Sequence, residues 1–173
     1  MTEGHLNAQG CHFAIVVSKF NHTITDRLLS EALLTLRESG IQDQDIEVVR
    51  VPGAFEIPVV ASCLAKSKRF DSVVCLGAII RGDTPHFDYI SAETSRGIGQ
   101  ASVDSGIPVI FGVLTTNTVE EAMNRSEPGE FNRGADAAKS AMEMATLMKS
   151  LHRGNHKSTG FQGSSLEKDS LAT

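Results

Sequence analysis

Apolar runs and helical periodicities alternate along the chain from residue 13 to residue 151. FAIVVS (13–18) is a short β-branched run, fit for a buried strand. In 23–39, Ile24, Leu28, Ala32 and Leu36 recur at every fourth position with Leu29 and Leu33 beside them. That spacing puts one apolar face on a helix, and Gly40 suits its stop. IEVVRV (46–51) reads as a second strand, and Ile57, Val60, Ala61 and Leu64 share one side of a helix over 57–65. SVVCLGAII (72–80) is apolar almost throughout, as a strand covered on both faces must be. A loop over 81–87 leads to a helix of about 88–104, and Pro108 introduces a fourth strand, VIFGVL (109–114). Thr118 and Glu121 have capping-box spacing for a short helix that Pro128 and Gly129 interrupt. Ala138, Met142, Ala145 and Met148 form the inner stripe of a last helix over about 133–151.

Repeated strand–helix alternation predicts an α/β fold with a four-stranded parallel sheet and helices on both faces, a three-layer sandwich. Residues 1–12 form an N-terminal arm, and 13–151 a single domain. HRGNHKSTGFQGSSLEKDSLAT (152–173), rich in Gly, Ser and Lys without apolar period, reads as a disordered tail.

Composition narrows the function. With 16 basic and 21 acidic side chains the net charge is −5, which offers no basic face for nucleic acid. No apolar run approaches the ~20 residues of a membrane span, and the polar start MTEGHLNAQG lacks a signal-peptide core. The expectation is a soluble, cytoplasmic protein. Cys11, Cys63 and Cys75 are scattered, with no CxxC, so a zinc site is not expected; Cys63 and Cys75 read as buried structural thiols. His152 and His156 have helical spacing for a metal pair, but Gly154 lies between them and no further ligand is near.

In parallel sheets ligands bind beyond the carboxyl ends of the strands. The segments there are KFNH (19–22), PGAFE (52–56), RGDTPHF (81–87) and TTN (115–117). In the third, Gly82 permits a tight turn exposing backbone N–H groups, Thr84 adds a hydroxyl and His86 an imidazole that titrates near neutrality. Together they suit a small phosphorylated substrate; taken alone they equally suit an ordinary strand-to-helix turn. Asp83 is discordant beside a phosphate unless its carboxylate points away. Gly53 permits a bend that brings the backbone of Ala54 and Phe55 toward a ligand. Glu56 can accept two donors, or start the next helix. Phe20 can stack on a ring or pack at a rim. Arg125 reads as a solvated helix residue or a forked phosphate donor, and Phe111 as core.

The segments occur together and in order: FNH at 20–22, PGAFEIP at 52–58, GAIIRGDTPHFD at 77–88, FGVLT at 111–115 and NRG at 132–134. That combination resembles the lumazine synthase family over about residues 13–151, and the central segment is the specific one. The resemblance implies a flavodoxin-like fold. It also implies a transferase of riboflavin biosynthesis that condenses 5-amino-6-(D-ribitylamino)uracil with 3,4-dihydroxy-2-butanone 4-phosphate. The products would be 6,7-dimethyl-8-ribityllumazine, phosphate and water, formed without metal or organic cofactor. It assigns His86 to proton transfer and Phe20, with the neighbouring Asn21, to the pyrimidine side. Ala54, Phe55 and Glu56 would hold the ribityl chain, Ala78, Ile79 and Ile80 the uracil edge, and Asp83 and Thr84 the phosphate. Phe111, Arg125 and Arg133 would come from a neighbouring subunit. The family forms homopentamers, some of which assemble into 60-subunit shells, and the resemblance names riboflavin synthase as a partner to test. A flavodoxin-like carrier should instead have a hydroxyl-rich phosphate loop directly after the first strand, where KFNH stands.

Overall fold

A computed structural model describes residues 1–129 and 131–154. Four strands, β1 (Phe13–Ser18), β2 (Ile46–Val51), β3 (Ser72–Ile80) and β4 (Val109–Thr116), form one sheet in the order β2-β1-β3-β4. All neighbours are parallel, with Phe13 beside Ile46 and Ser72, and Val73 beside Val109. Helices α1 (His22–Glu38), α2 (Ile57–Lys66), α3 (His86–Ser105), α4 (Val119–Ser126) and α5 (Arg133–Gly154) complete the α/β sandwich. Helix α3 begins two residues earlier than predicted. Helix α5 runs three residues past 151, so 152–154 are helical; the rest of the segment read as a tail, 155–173 with His156, lies outside the described residues.

Side-chain alternation along the strands builds two cores. Phe13, Ile15 and Val17 of β1 and Val74, Leu76 and Ala78 of β3 pack with α1 and α5 residues such as Leu28, Leu36, Ala138 and Met142. Ala14 and Val16, with Val73, Cys75 and Ile79, pack on the other face with Ile57, Ala61, Leu64, Ile98 and Ala101 of α2 and α3. Burying one such aliphatic side chain contributes about 1.5–3 kcal/mol, which is why β3, apolar on both faces, sits at the sheet centre. Close approach of α5 to α1 depends on Gly134, whose absent Cβ would fall on the Leu28 carbonyl. Residues 1–12 pack against α5: the His5 N–H donates to Thr146 Oγ1 at 2.9 Å, and Ala8 and Cys11 are buried.

Two expectations about burial are corrected. Cys63 is exposed while Cys75 is buried, because α2 turns Ile57, Ala61, Leu64 and Ala65 inward and leaves Cys63 on the opposite side. Phe111 is 45% exposed, because β4 is an edge strand and its flank is uncovered in a single chain.

Candidate active site

A cleft of about 680 Å3 opens at the carboxyl ends of β1, β2 and β3. Its walls gather the sequence-predicted residues Phe20, Ala54, Phe55, Glu56, Ala78, Ile79, Ile80, Thr84 and His86. Phe20 is 70% and Phe55 54% exposed, so two rings stand at the mouth with open faces. The floor at the end of β3 is apolar: Ala78 and Ile79 are buried and Ile80 is half-buried. An apolar slot with aromatic rims suits a flat ring.

Beyond β2 the chain makes a short 3-10 turn, Ala54–Glu56, before α2. Gly53 is extended there (φ −142, ψ −178), so no left-handed bend calls for it, and a Cβ would meet only Glu56 Oε2, at 3.1 Å. The Gly53 N–H donates to that oxygen at 2.9 Å, and Glu56 also stands at the N-cap position of α2. The Glu56 carboxylate thus closes the 3-10 turn on Gly53 and makes no side-chain cap bond to α2.

Asn21 does not line the cleft. It sits in the left-handed region (φ 58, ψ 42) at the start of α1, and its Nδ2 donates to the Ala78 carbonyl at 2.8 Å. It holds the turn carrying Phe20 against the end of β3. It also lines an adjoining hollow with Lys19 and His22.

In the loop after β3, Gly82, Thr84 and His86 line the cleft, whereas Asp83 is exposed and does not. The carboxylate that seemed discordant in sequence is thus outside the lining. The chain bends at 83–84 and turns at Pro85, but Gly82 does not have positive φ and has open space where a Cβ would stand, so the bend does not demand a glycine there. His86 opens α3 directly after Pro85, at the positive end of a 20-residue helix dipole. Phe87 and Ile90 on the first turns of α3 complete the wall. The sequence reading missed both, although their three-residue spacing places them on one helix face.

Phe111, Arg125 and Arg133 meet elsewhere, in a separate hollow of about 340 Å3 formed by β4, α4 and α5. It shares no lining residue with the cleft. Arg125 Nη1 donates to the Glu121 carbonyl at 3.0 Å, and Arg133 pairs with Asp136 at 2.8 Å. Buried Asn132 fixes their relative placement: its Nδ2 donates to the Ser126 carbonyl at 2.7 Å, and its Oδ1 accepts from the Gly134 N–H at 2.7 Å. One hollow therefore has apolar and aromatic walls with His86 and Glu56; the other has two guanidiniums beside an exposed ring. Among the described residues no group of three or more His, Cys, Asp or Glu could hold a metal ion. No described helix is long and apolar enough to cross a membrane.

A sequence model of the 6,7-dimethyl-8-ribityllumazine synthase family matches residues 10–149. The chain belongs to the 6,7-dimethyl-8-ribityllumazine synthase family. It is 54% identical over 151 residues to the 6,7-dimethyl-8-ribityllumazine synthase of Syntrophus aciditrophicus (strain SB), covering 87% of this chain and 98% of that relative. Identity to the same-named protein of Desulfatibacillum aliphaticivorans is 53% over 147 residues, 85% of this chain and 95% of the relative. With that of Desulfotalea psychrophila (strain LSv54 / DSM 12343) it is 54% over 149 residues, 86% and 96%. All five lumazine synthase motif segments, from FNH at 20–22 to NRG at 132–134, lie inside the matched region.

Proposed function

We propose that this chain condenses 5-amino-6-(D-ribitylamino)uracil with 3,4-dihydroxy-2-butanone 4-phosphate, giving 6,7-dimethyl-8-ribityllumazine, phosphate and water. Each site is built from two copies of the chain. The observation that carries this reading is the division between the hollows: ring walls and His86 lie in one, and the two arginines suited to a phosphate lie in the other. The cleft has no arginine in its lining, and the other hollow has neither His86 nor Glu56. Apposing the cleft of one copy to the arginine hollow of the next supplies both, and repeating that head-to-tail contact closes a ring. The family's pentamer is the closure we propose.

In such a site Phe20 and Phe55 sandwich or flank the pyrimidine, and the end of β3 meets its edge. Glu56 accepts hydroxyl donors from the ribityl chain. Thr84, the N-terminus of α3 and the neighbour's Arg125 and Arg133 hold the phosphate. The pyrimidine's amine forms a Schiff base with the ketone and releases one water, phosphate is eliminated to leave an enol that becomes a second carbonyl, and closure of the ribityl-bearing nitrogen onto that carbonyl releases another water. His86, beside the reacting carbons, takes and returns the protons. Fixing two reactive substrates in register can remove ~7–11 kcal/mol of barrier, against a factor of about 10²–10⁴ for one acid–base group. Orientation is therefore the larger contribution.

The test is complementation. A Thr84→Ala/His86→Ala chain and an Arg125→Ala chain are assayed separately and after refolding together, following product fluorescence and phosphate release. Restored activity in the mixture is expected, because some interfaces then carry an intact half from each parent. Activity that never exceeds the parental mean, or a monomer by light scattering, overturns the shared site.

A further inference from the structure

The Arg81 side chain is engaged from three directions. Its guanidinium forks onto Asp88, Nη2 to Oδ1 at 3.0 Å and Nη1 to Oδ2 at 3.4 Å, and Nε donates to Asn117 Oδ1 at 3.2 Å. Its plane lies over the Phe87 ring, 4.2 Å from the centroid. The Arg81 backbone N–H donates to the Thr116 carbonyl at 2.9 Å, beyond the end of the β3–β4 ladder. Arg81 thus ties the end of β4 to the first turn of α3. Between its two ends lies the loop with the residues that face the cleft. Among the described residues, no hydrogen bond to another element holds Gly82, Asp83 or Thr84. What confines that stretch is closure of its ends, by which a short loop loses most of its conformational freedom.

We propose that Arg81 is a positioning residue for the reaction proposed above. Its fork to Asp88, braced on Asn117, closes the loop so that Thr84 and His86 face the cleft, and its contact with Phe87 sets the adjoining wall. It touches neither substrate. Arg81 and Asp88 are 44% and 59% exposed, and ion pairs so exposed contribute little to global stability. The role is therefore local order, and only a planar fork holds two carboxylate oxygens and an amide at once.

Three variants test it: Arg81→Met, Arg81→Lys and Asp88→Asn. In Arg81→Met, KM for the phosphorylated substrate should rise roughly ten- to a hundredfold, the scale of cost for a slightly misplaced contact. KM for the pyrimidine, held by Phe20, Phe55 and β3, should stay within about twofold, and the melting temperature should barely move. Arg81→Lys should recover part of the loss. Asp88→Asn should weaken the same KM, and adding it to Arg81→Met should cost little more, because the two act through one contact. Independently of activity, amide exchange across 82–86 should quicken in unliganded Arg81→Met while 72–80 stays unchanged. Unaltered exchange overturns the proposal, as does an equal KM rise for both substrates with a lowered melting temperature. A wild-type protein that makes no product removes the proposed reaction instead, and the exchange comparison still decides the clamp.

Discussion

Asn21 Nδ2 donates to the Ala78 carbonyl across 2.8 Å, joining the turn after β1 to the end of β3. The bond reaches over 57 positions of sequence and requires a left-handed backbone at Asn21. Asparagine tolerates that conformation better than other residues with a Cβ. Asn21→Ala should lose about 2–3 kcal/mol, from left-handed strain of ~1–2 and a hydrogen bond of ~1. Asn21→Gly keeps the conformation and should lose less. Urea unfolding of the three proteins checks the order. If Asn21→Gly proves the least stable, the strain argument is wrong.

Loss of the imidazole and loss of the phosphate anchor should differ. His86→Ala should retain measurable turnover, because orientation by the rest of the site survives. Arg125→Ala should fall further, chiefly through weaker binding of the phosphorylated substrate. Steady-state rates decide: a dead His86→Ala beside an active Arg125→Ala reverses the ranking.

The thiols should react unequally. Burial among apolar side chains pushes the Cys75 thiol far above its ordinary range, while Cys63 is exposed. A thiol reagent at pH 8 should label Cys63 quickly in native protein and Cys75 only after unfolding. Below the unfolded-state value of about 8.5 the Cys75 thiol is neutral in both states and costs nothing. Above it the unfolded chain releases the proton and the folded chain keeps it, so stability falls by up to ~1.4 kcal/mol per pH unit. Cys75→Ala should flatten that alkaline slope; an unchanged slope would assign it to other groups.

Gly134→Ala should be severe for so small a change. The added methyl would meet the Leu28 backbone, which cannot swing aside as a side chain can. A loss on the order of 2 kcal/mol or more is expected, as in overpacked cores. It should come with a displaced α5 and reduced phosphate-side binding, since Arg133 adjoins the contact. Thermal unfolding and KM, measured together, check both effects.

The strands were legible because parallel strands covered on both faces leave short continuous apolar runs, and amphipathic helices leave a period of 3.6. β1, β2 and β3 fall where their apolar runs predict, and the Thr118–Glu121 spacing marks a real cap, with Thr118 Oγ1 accepting the Glu121 N–H at 3.1 Å. The start of α3 was missed by two residues because Pro85 and His86 look like loop, although proline fits a helix entrance. Phe111 looked like core because local sequence does not reveal which strand ends at a sheet edge. Arg81 passed as a motif letter, because its partners Asp88 and Asn117 are 7 and 36 positions away.

Sequence by itself therefore determined the layered α/β class, the segments at the strand ends and the family, since each is written in contiguous residues. Tertiary structure alone decided the strand order, the exposure of Cys63 and the place of Asp83 outside the cleft lining. It also decided the sorting of site residues into two hollows that share no wall. The physical reason is the same in each case. Periodicity reports how one segment divides between core and solvent. Which face meets which partner depends on packing free energies summed over residues far apart in the chain.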